Sequence, residues 1–103
     1  MGFPPGTTKY KDTEDVVLFT GNWTDRCTGG TTITASEWTV IEPGGDTTLT
    51  TSSSSILAGN VTTQVLLSAG TPGKVYRVEN KVTLSGFPTQ ILERSFYMRV
   101  RER

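Results

Sequence analysis

A tyrosine and four arginines near the carboxyl end form the most pointed chemical pattern in this chain. Arg94, Arg99, Arg101 and Arg103 accompany Tyr97, and on an extended strand residues 97, 99, 101 and 103 project to one side. An aromatic ring then stands beside three guanidinium groups. Such a stripe can hold phosphates or stacked bases. Glu93 and Glu102 stand among these residues, and the sequence pI of about 6.2 is far from the strongly basic values of nucleic-acid-binding domains. The stripe is therefore expected to be a solvated outer face or a protein contact, with no nucleic acid as partner.

Other chemistries are narrowed by what the chain lacks. It contains no histidine and one cysteine, Cys27, which excludes Ser-His-Asp and Cys-His nucleophile systems, His-ligated zinc and an internal disulfide. Carboxylates remain as the only acid/base groups, at Asp12, Glu14 and Asp15 and at Glu37 and Glu42. General acid/base work needs two acids held at a set separation in a concave site, and the first cluster falls in a polar segment ahead of the first expected strand. Gly29-Gly30 and Gly44-Gly45 lack phosphate-loop spacing and precede no helix, so they are expected to be turns. The acidic run from Asp12 to Asp25 lacks calcium-loop spacing. Neither cofactor nor metal is expected, and no catalysis.

Positioning falls to β-structure. Threonine and serine occupy 27 of 103 positions (19 Thr and 8 Ser), with 11 glycines and 5 prolines, a composition suited to pleated strands and turns and hostile to helices. Apolar residues alternate with period 2 along most of the chain. Strands are expected at about Asp15–Trp23, Thr32–Ile41, Thr47–Ser52, Val61–Ser68, Lys74–Leu84 and Gln90–Arg101, with a serine-rich link before Ile56-Leu57. Within Thr32–Ile41, Ile33 and Ala35 share one parity and Trp38 and Val40 the other, so a bulge or break is expected near Ser36-Glu37. In Lys74–Leu84, Tyr76, Val78, Asn80, Val82 and Leu84 share the inward parity. Phe96, Met98 and Val100 do so in the last strand, opposite Tyr97, Arg99 and Arg101. Turns are expected at Arg26–Thr31, Glu42–Asp46, Ala58–Asn60, Ala69–Gly73 and Gly86–Pro88. About seven short strands fit an all-β, immunoglobulin-like antiparallel sandwich, with a small barrel as the rival. At least one of Trp23 and Trp38 should sit between the sheets with its N–H bonded.

The organisation expected is an extended arm over residues 1–14 and a single immunoglobulin-like sandwich over 15–103. The arm has two prolines and two glycines and no alternation, so its removal should leave the thermal midpoint nearly unchanged. Its aromatics Phe3 and Tyr10 look like anchors for a partner. Net charge is zero but unevenly placed: residues 11–46 sum to −5, residues 47–73 carry none, and residues 74–103 sum to +4. Acidic and basic regions can steer neighbouring copies together, and the uncharged stretch lacks the repulsion that discourages stray strand pairing. The amino terminus has neither a basic region nor a long apolar run, so no secretory signal is read there, and no run is long enough for a membrane span.

Lys11–Val16 ahead of the first strand, Trp23 at its end, Thr32–Val40, Val65–Tyr76, Val78–Thr83 and Glu93–Phe96 follow one another in an order that resembles a group of small tailed-bacteriophage virion proteins, described as fiber-tail adaptor or head-tail proteins. The resemblance spans about residues 11–102. It implies a non-catalytic immunoglobulin-type sandwich, assembled in the host cytoplasm into the virion in multiple copies, whose partners are other virion proteins of the tail, fiber, adaptor or capsid, with no membrane partner. The candidate contact residues are Phe3, Tyr10, Tyr97, Arg99, Arg101 and Arg103. Two alternatives stand beside a tail or head-tail module: a decoration protein on the capsid, and a small carbohydrate-binding module stacking a sugar on Trp23 or Trp38.

Overall fold

The computed structural model describes residues 8–86 and 89–101. Among them are seven strands and no helix: β1 (Thr8–Asp12), β2 (Val17–Asn22), β3 (Ile33–Ile41), β4 (Leu49–Ile56), β5 (Thr62–Ala69), β6 (Val75–Leu84) and β7 (Gln90–Arg101). They form two sheets packed as a sandwich, ordered β1-β7-β6-β3 and β2-β5-β4. All neighbours are antiparallel except β1, which runs parallel to β7. The three-stranded sheet of β2, β5 and β4 thus faces the four-stranded sheet of β1, β7, β6 and β3.

Period-2 alternation is realised as burial. Tyr76, Val78, Asn80 and Val82 of β6 and Phe96, Met98 and Val100 of β7 are fully enclosed, while Val65 and Leu67 of β5 meet them from the other sheet. The core falls into two apolar parts. The larger gathers residues such as Leu49, Leu67, Tyr76 and Phe96, and the smaller gathers Trp23, Ile33, Val82 and Leu84. Between Val78 in the first and Val82 in the second lies Asn80, the hub of a buried polar layer. Its side-chain oxygen accepts from Trp23 Nε1 at 3.0 Å and Thr63 Oγ1 at 2.6 Å, while its amide donates to Ser36 Oγ at 3.0 Å and the Glu37 carbonyl at 3.1 Å. The layer satisfies the buried amide completely and ties the two sheets together. Gly21 leaves it room: a Cβ there would stand 2.9 Å from Thr63 Oγ1 and 3.1 Å from Asn80 Oδ1.

Several boundaries differ from the sequence reading. The irregularity in β3 lies between Ile33 and Ala35, ahead of the expected Ser36-Glu37, because the pairing with β6 skips a residue there. Ala35 is consequently exposed, and Ser36, Trp38 and Val40 face inward. The serine-rich link is not a link: β4 continues through it to Ile56, with a shift of register between Ser52 and Ser55 and a left-handed Ser53 at φ 51°. Alternation cannot reveal such a strand, since none of its middle side chains is apolar.

The greatest difference concerns residues 8–12. Within the segment expected to be an arm, Thr8–Asp12 form β1, an edge strand of the larger sheet. Lys11 points inward and is buried. Its ammonium donates to the Asp12 carbonyl at 2.6 Å and to the Ala69 carbonyl at 2.7 Å. Burial pulls the Lys11 pKa down, opposed by Asp15 and Asp12. An inward charge on an edge strand discourages further strands from joining it. Phe3 and the Gly86–Pro88 turn fall partly or wholly outside the described residues.

A second polar cluster joins the β3–β4 and β5–β6 loops. The buried Tyr76 hydroxyl donates to Asp46 Oδ1 at 2.9 Å and accepts from the Thr71 N–H at 2.8 Å, and Thr48 donates to Asp46 through its hydroxyl and its N–H at 2.6 and 2.8 Å. The hydroxyls of Thr48 and then Thr71, with the Thr48 N–H, hold the Asp46 carboxyl far below the usual carboxylate range. A carboxyl whose folded pKa lies below its unfolded value contributes stability above the unfolded value, about 3.9, and loses it as pH falls toward the folded value. Thermal midpoints followed from pH 5 down to pH 2 should therefore fall more steeply in the native chain than in Asp46→Asn. Parallel curves would show that Asp46 is not strained toward its ionised form.

Candidate contact surface

Strand β7 turns Phe96, Met98 and Val100 inward, so Tyr97, Arg99 and Arg101 stand on the outer face of the four-stranded sheet. The parallel register with β1 sets Thr8 beside Tyr97, Tyr10 beside Arg99 and Asp12 beside Arg101. Because Lys11 faces inward, Tyr10 faces outward with 54% of its surface exposed. The Arg101 guanidinium lies 4.5 Å from the centre of the Tyr10 ring, close enough for a cation–π contact. Four of the six sequence-derived contact residues, Tyr10, Tyr97, Arg99 and Arg101, thus come together on one face. Phe3 and Arg103 lie outside the described residues.

The antiparallel register with β6 places Val75 beside Arg99 and Arg77 beside Tyr97, and β3 adds Ile41 beside Arg77. Ile41, Pro43, Val75, Arg77 and Tyr97 line a largely apolar groove of about 410 Å³. Ile41, Val75 and Tyr97 remain exposed there, and Arg77 is held by Glu79 at 2.9 Å. Sequence reasoning missed Ile41, Pro43 and Val75. The signal was present in the parity of Val75, which shares the outward side of β6 with Arg77, but an isolated exposed valine is ordinary. Only the lateral neighbours turn it into part of a groove.

The remaining arginine of the carboxyl-terminal pattern acts differently. Arg94 points toward the smaller core region, its guanidinium 4.4 Å over the Trp23 ring, bonded to the Asn22 carbonyl at 2.9 Å and paired with Asp25 at 2.7 Å. That hydrogen bond, before the charge of Arg94, depresses the Asp25 pKa. Trp23 itself is buried, at 1% exposure, so it is closed to the sugar-stacking role considered for it, and Trp38 is half-buried against the larger core region. Cys27 is half-buried against the smaller region, and burial, with Asp25 adding, pushes its thiol up, away from the reactive thiolate form.

Within the acidic cluster, Asp15 accepts from the Asp12 N–H at 3.3 Å and so braces the β1–β2 loop. A depression of about 90 Å³ lined by Ala35, Ser36, Glu37, Lys81 and Thr83 is small for a substrate. Among the described residues, no group of three or more His, Cys, Asp or Glu side chains could hold a metal ion, and no helix is long and apolar enough to cross a membrane.

Fold and surface together define a β-sandwich whose prominent candidate site is an open, apolar and cationic sheet face, the form expected of a protein-contact module. A family model described as "Podophage GP4 fiber-tail adaptor protein gp77" matches residues 11–99. The chain belongs to this family of tailed-phage adaptor proteins. A search of curated proteins finds no match.

Proposed function

We propose that the protein is a non-catalytic virion module that joins tail and fiber components through protein–protein contacts, and that the outer face of the four-stranded sheet is one of its contact surfaces. Family membership over residues 11–99 supports the tail role. The observation that carries the surface is the convergence of Tyr10, Ile41, Val75 and Tyr97, all exposed apolar side chains, with Arg99 and Arg101 on one face from four different strands. Large exposed aromatics beside arginine are what interface centres are enriched in. Phe3 and Arg103 join the proposal on their sequence positions alone.

Phage carrying Tyr97→Ser with Arg99→Glu should assemble heads normally but yield particles from which this protein and the fibers are depleted, read by mass spectrometry and negative-stain microscopy. Both side chains point away from the core, so the purified variant should keep its thermal midpoint. Particles with full fiber content would overturn the assignment of this face. Antibodies against this protein that decorate the head in place of the tail in native particles would favour the decoration alternative.

A further inference from the structure

The two broad faces of the sandwich carry complementary features that one copy cannot bring together by itself. On the outer face of the four-stranded sheet lies the groove between Ile41, Val75 and Tyr97, bordered by Arg77 and Arg99. On the opposite outer face β2 presents Leu18 at 52% exposure, with Val16 at 63% just ahead of the strand, Leu66 of β5 as the cross-strand neighbour of Leu18, and Glu14 exposed two residues before Val16. The sheet around this ridge is neutral, because β4 and β5 belong to the stretch of residues 47–73 that carries no charge. Apolar side chains on a neutral sheet with an acid at one corner match an apolar groove with arginines at its border.

Ridge and groove also lie at the same end of the molecule. Val17 pairs with Leu67 near the close of β5, and Val75 opens β6 just past the loop that follows. Stacking one copy on the next, face against opposite face, brings them together without a slide along the strands. We propose that Val16 and Leu18 of one copy seat in the Ile41–Val75–Tyr97 groove of the next, with Glu14 set against Arg99. This rests on the reading of the groove face as a protein contact and names a second copy of the chain as its occupant. The contact is heterologous: after it forms, each partner still offers one unused ridge or groove, so association propagates to further copies.

A contact built on two apolar side chains and one ion pair is weak in free solution, so complementation at high concentration is the decisive readout. The ridge variant Val16→Asp with Leu18→Asp and the groove variant Tyr97→Ser with Arg99→Glu change only outward residues, and circular dichroism should show both folded. In sedimentation velocity the native chain should grow with concentration past the dimer. Either variant alone should stay monomeric, and their equimolar mixture should stop at a dimer of one copy each, since each supplies the half the other lacks. Glu14→Arg should weaken native association and recover it against Arg99→Glu. A native chain that stays monomeric at millimolar concentration overturns the proposal, as does a mixture in which no dimer forms. Groove variants that are lost from particles while the native chain never self-associates would sink the self-contact and leave the function reading standing, with another virion protein in the groove. Native self-association with groove variants that still enter particles and retain fibers would do the reverse.

Discussion

Asn80→Ala is expected to lower the midpoint of thermal unfolding by roughly 12–24 °C, the largest effect of any single side-chain truncation considered. The substitution removes the acceptor shared by Trp23 Nε1 and Thr63 Oγ1 and the donor to Ser36 and Glu37. Trp23 Nε1 is then stranded at 1% exposure, and the fully enclosed Thr63 hydroxyl keeps only a long 3.5 Å contact to the Gly21 carbonyl. Stranding buried polar groups and opening a cavity costs about 3 kcal/mol in all, and in a domain of this size each kcal/mol moves the midpoint by about 4–8 °C. Thr63→Val should cost much less, because Asn80 keeps its bond from Trp23 and three of the four hub contacts survive. Calorimetry on both variants checks the ordering. A midpoint within about 3 °C of native in Asn80→Ala would mean that the polar layer is incidental to stability.

Removal of residues 1–12 is expected to lower the midpoint by at least about 10 °C, contrary to what the polar, proline-bearing amino terminus suggests. Truncation takes away the five-residue ladder between β1 and β7 and the Lys11 ammonium that satisfies the Ala69 carbonyl. It also leaves β7 as a raw edge beside Met98 and Val100, which are fully buried in the intact protein, and unpaired backbone next to a core is costly. The shortened chain should gain affinity for other strands and aggregate at lower concentration. Lys11→Met, which keeps the ladder and loses only the ammonium, separates the two contributions. A truncated chain with a native midpoint would reduce β1 to an ornament of the fold.

How much of this could be seen beforehand depends on whether a strand writes its burial into its sequence. In β6 and β7 every inward position from Tyr76 to Leu84 and from Phe96 to Val100 is set by alternation, and the one polar member, Asn80, is legible as inward by its parity alone. The second half of β4 hides, because Thr50 to Ser55 are exposed and uniformly hydroxylic, and a stretch that buries nothing has no apolar rhythm. Strand β1 hides for the opposite reason: the side chain it buries is Lys11, whose ammonium finds carbonyl partners at the adjoining Asp12 and at Ala69, 58 residues away. No local pattern announces a satisfied buried lysine. The β3 irregularity was visible as a change of parity but misplaced, since its site is set by how β6 pairs with it.

The candidate surface divides in the same way. Covalent order and the pleat alone determined that Tyr97, Arg99 and Arg101 share the outward side of one strand, because successive side chains on extended backbone must alternate. Tertiary structure decided that Tyr10 lies under Arg101 and that Ile41 and Val75 open a groove beside Tyr97. Those neighbours are brought in by strands up to about ninety positions distant in the chain, and which strands lie side by side is settled by how two sheets close over a common core, a property of the whole chain that no window of residues contains.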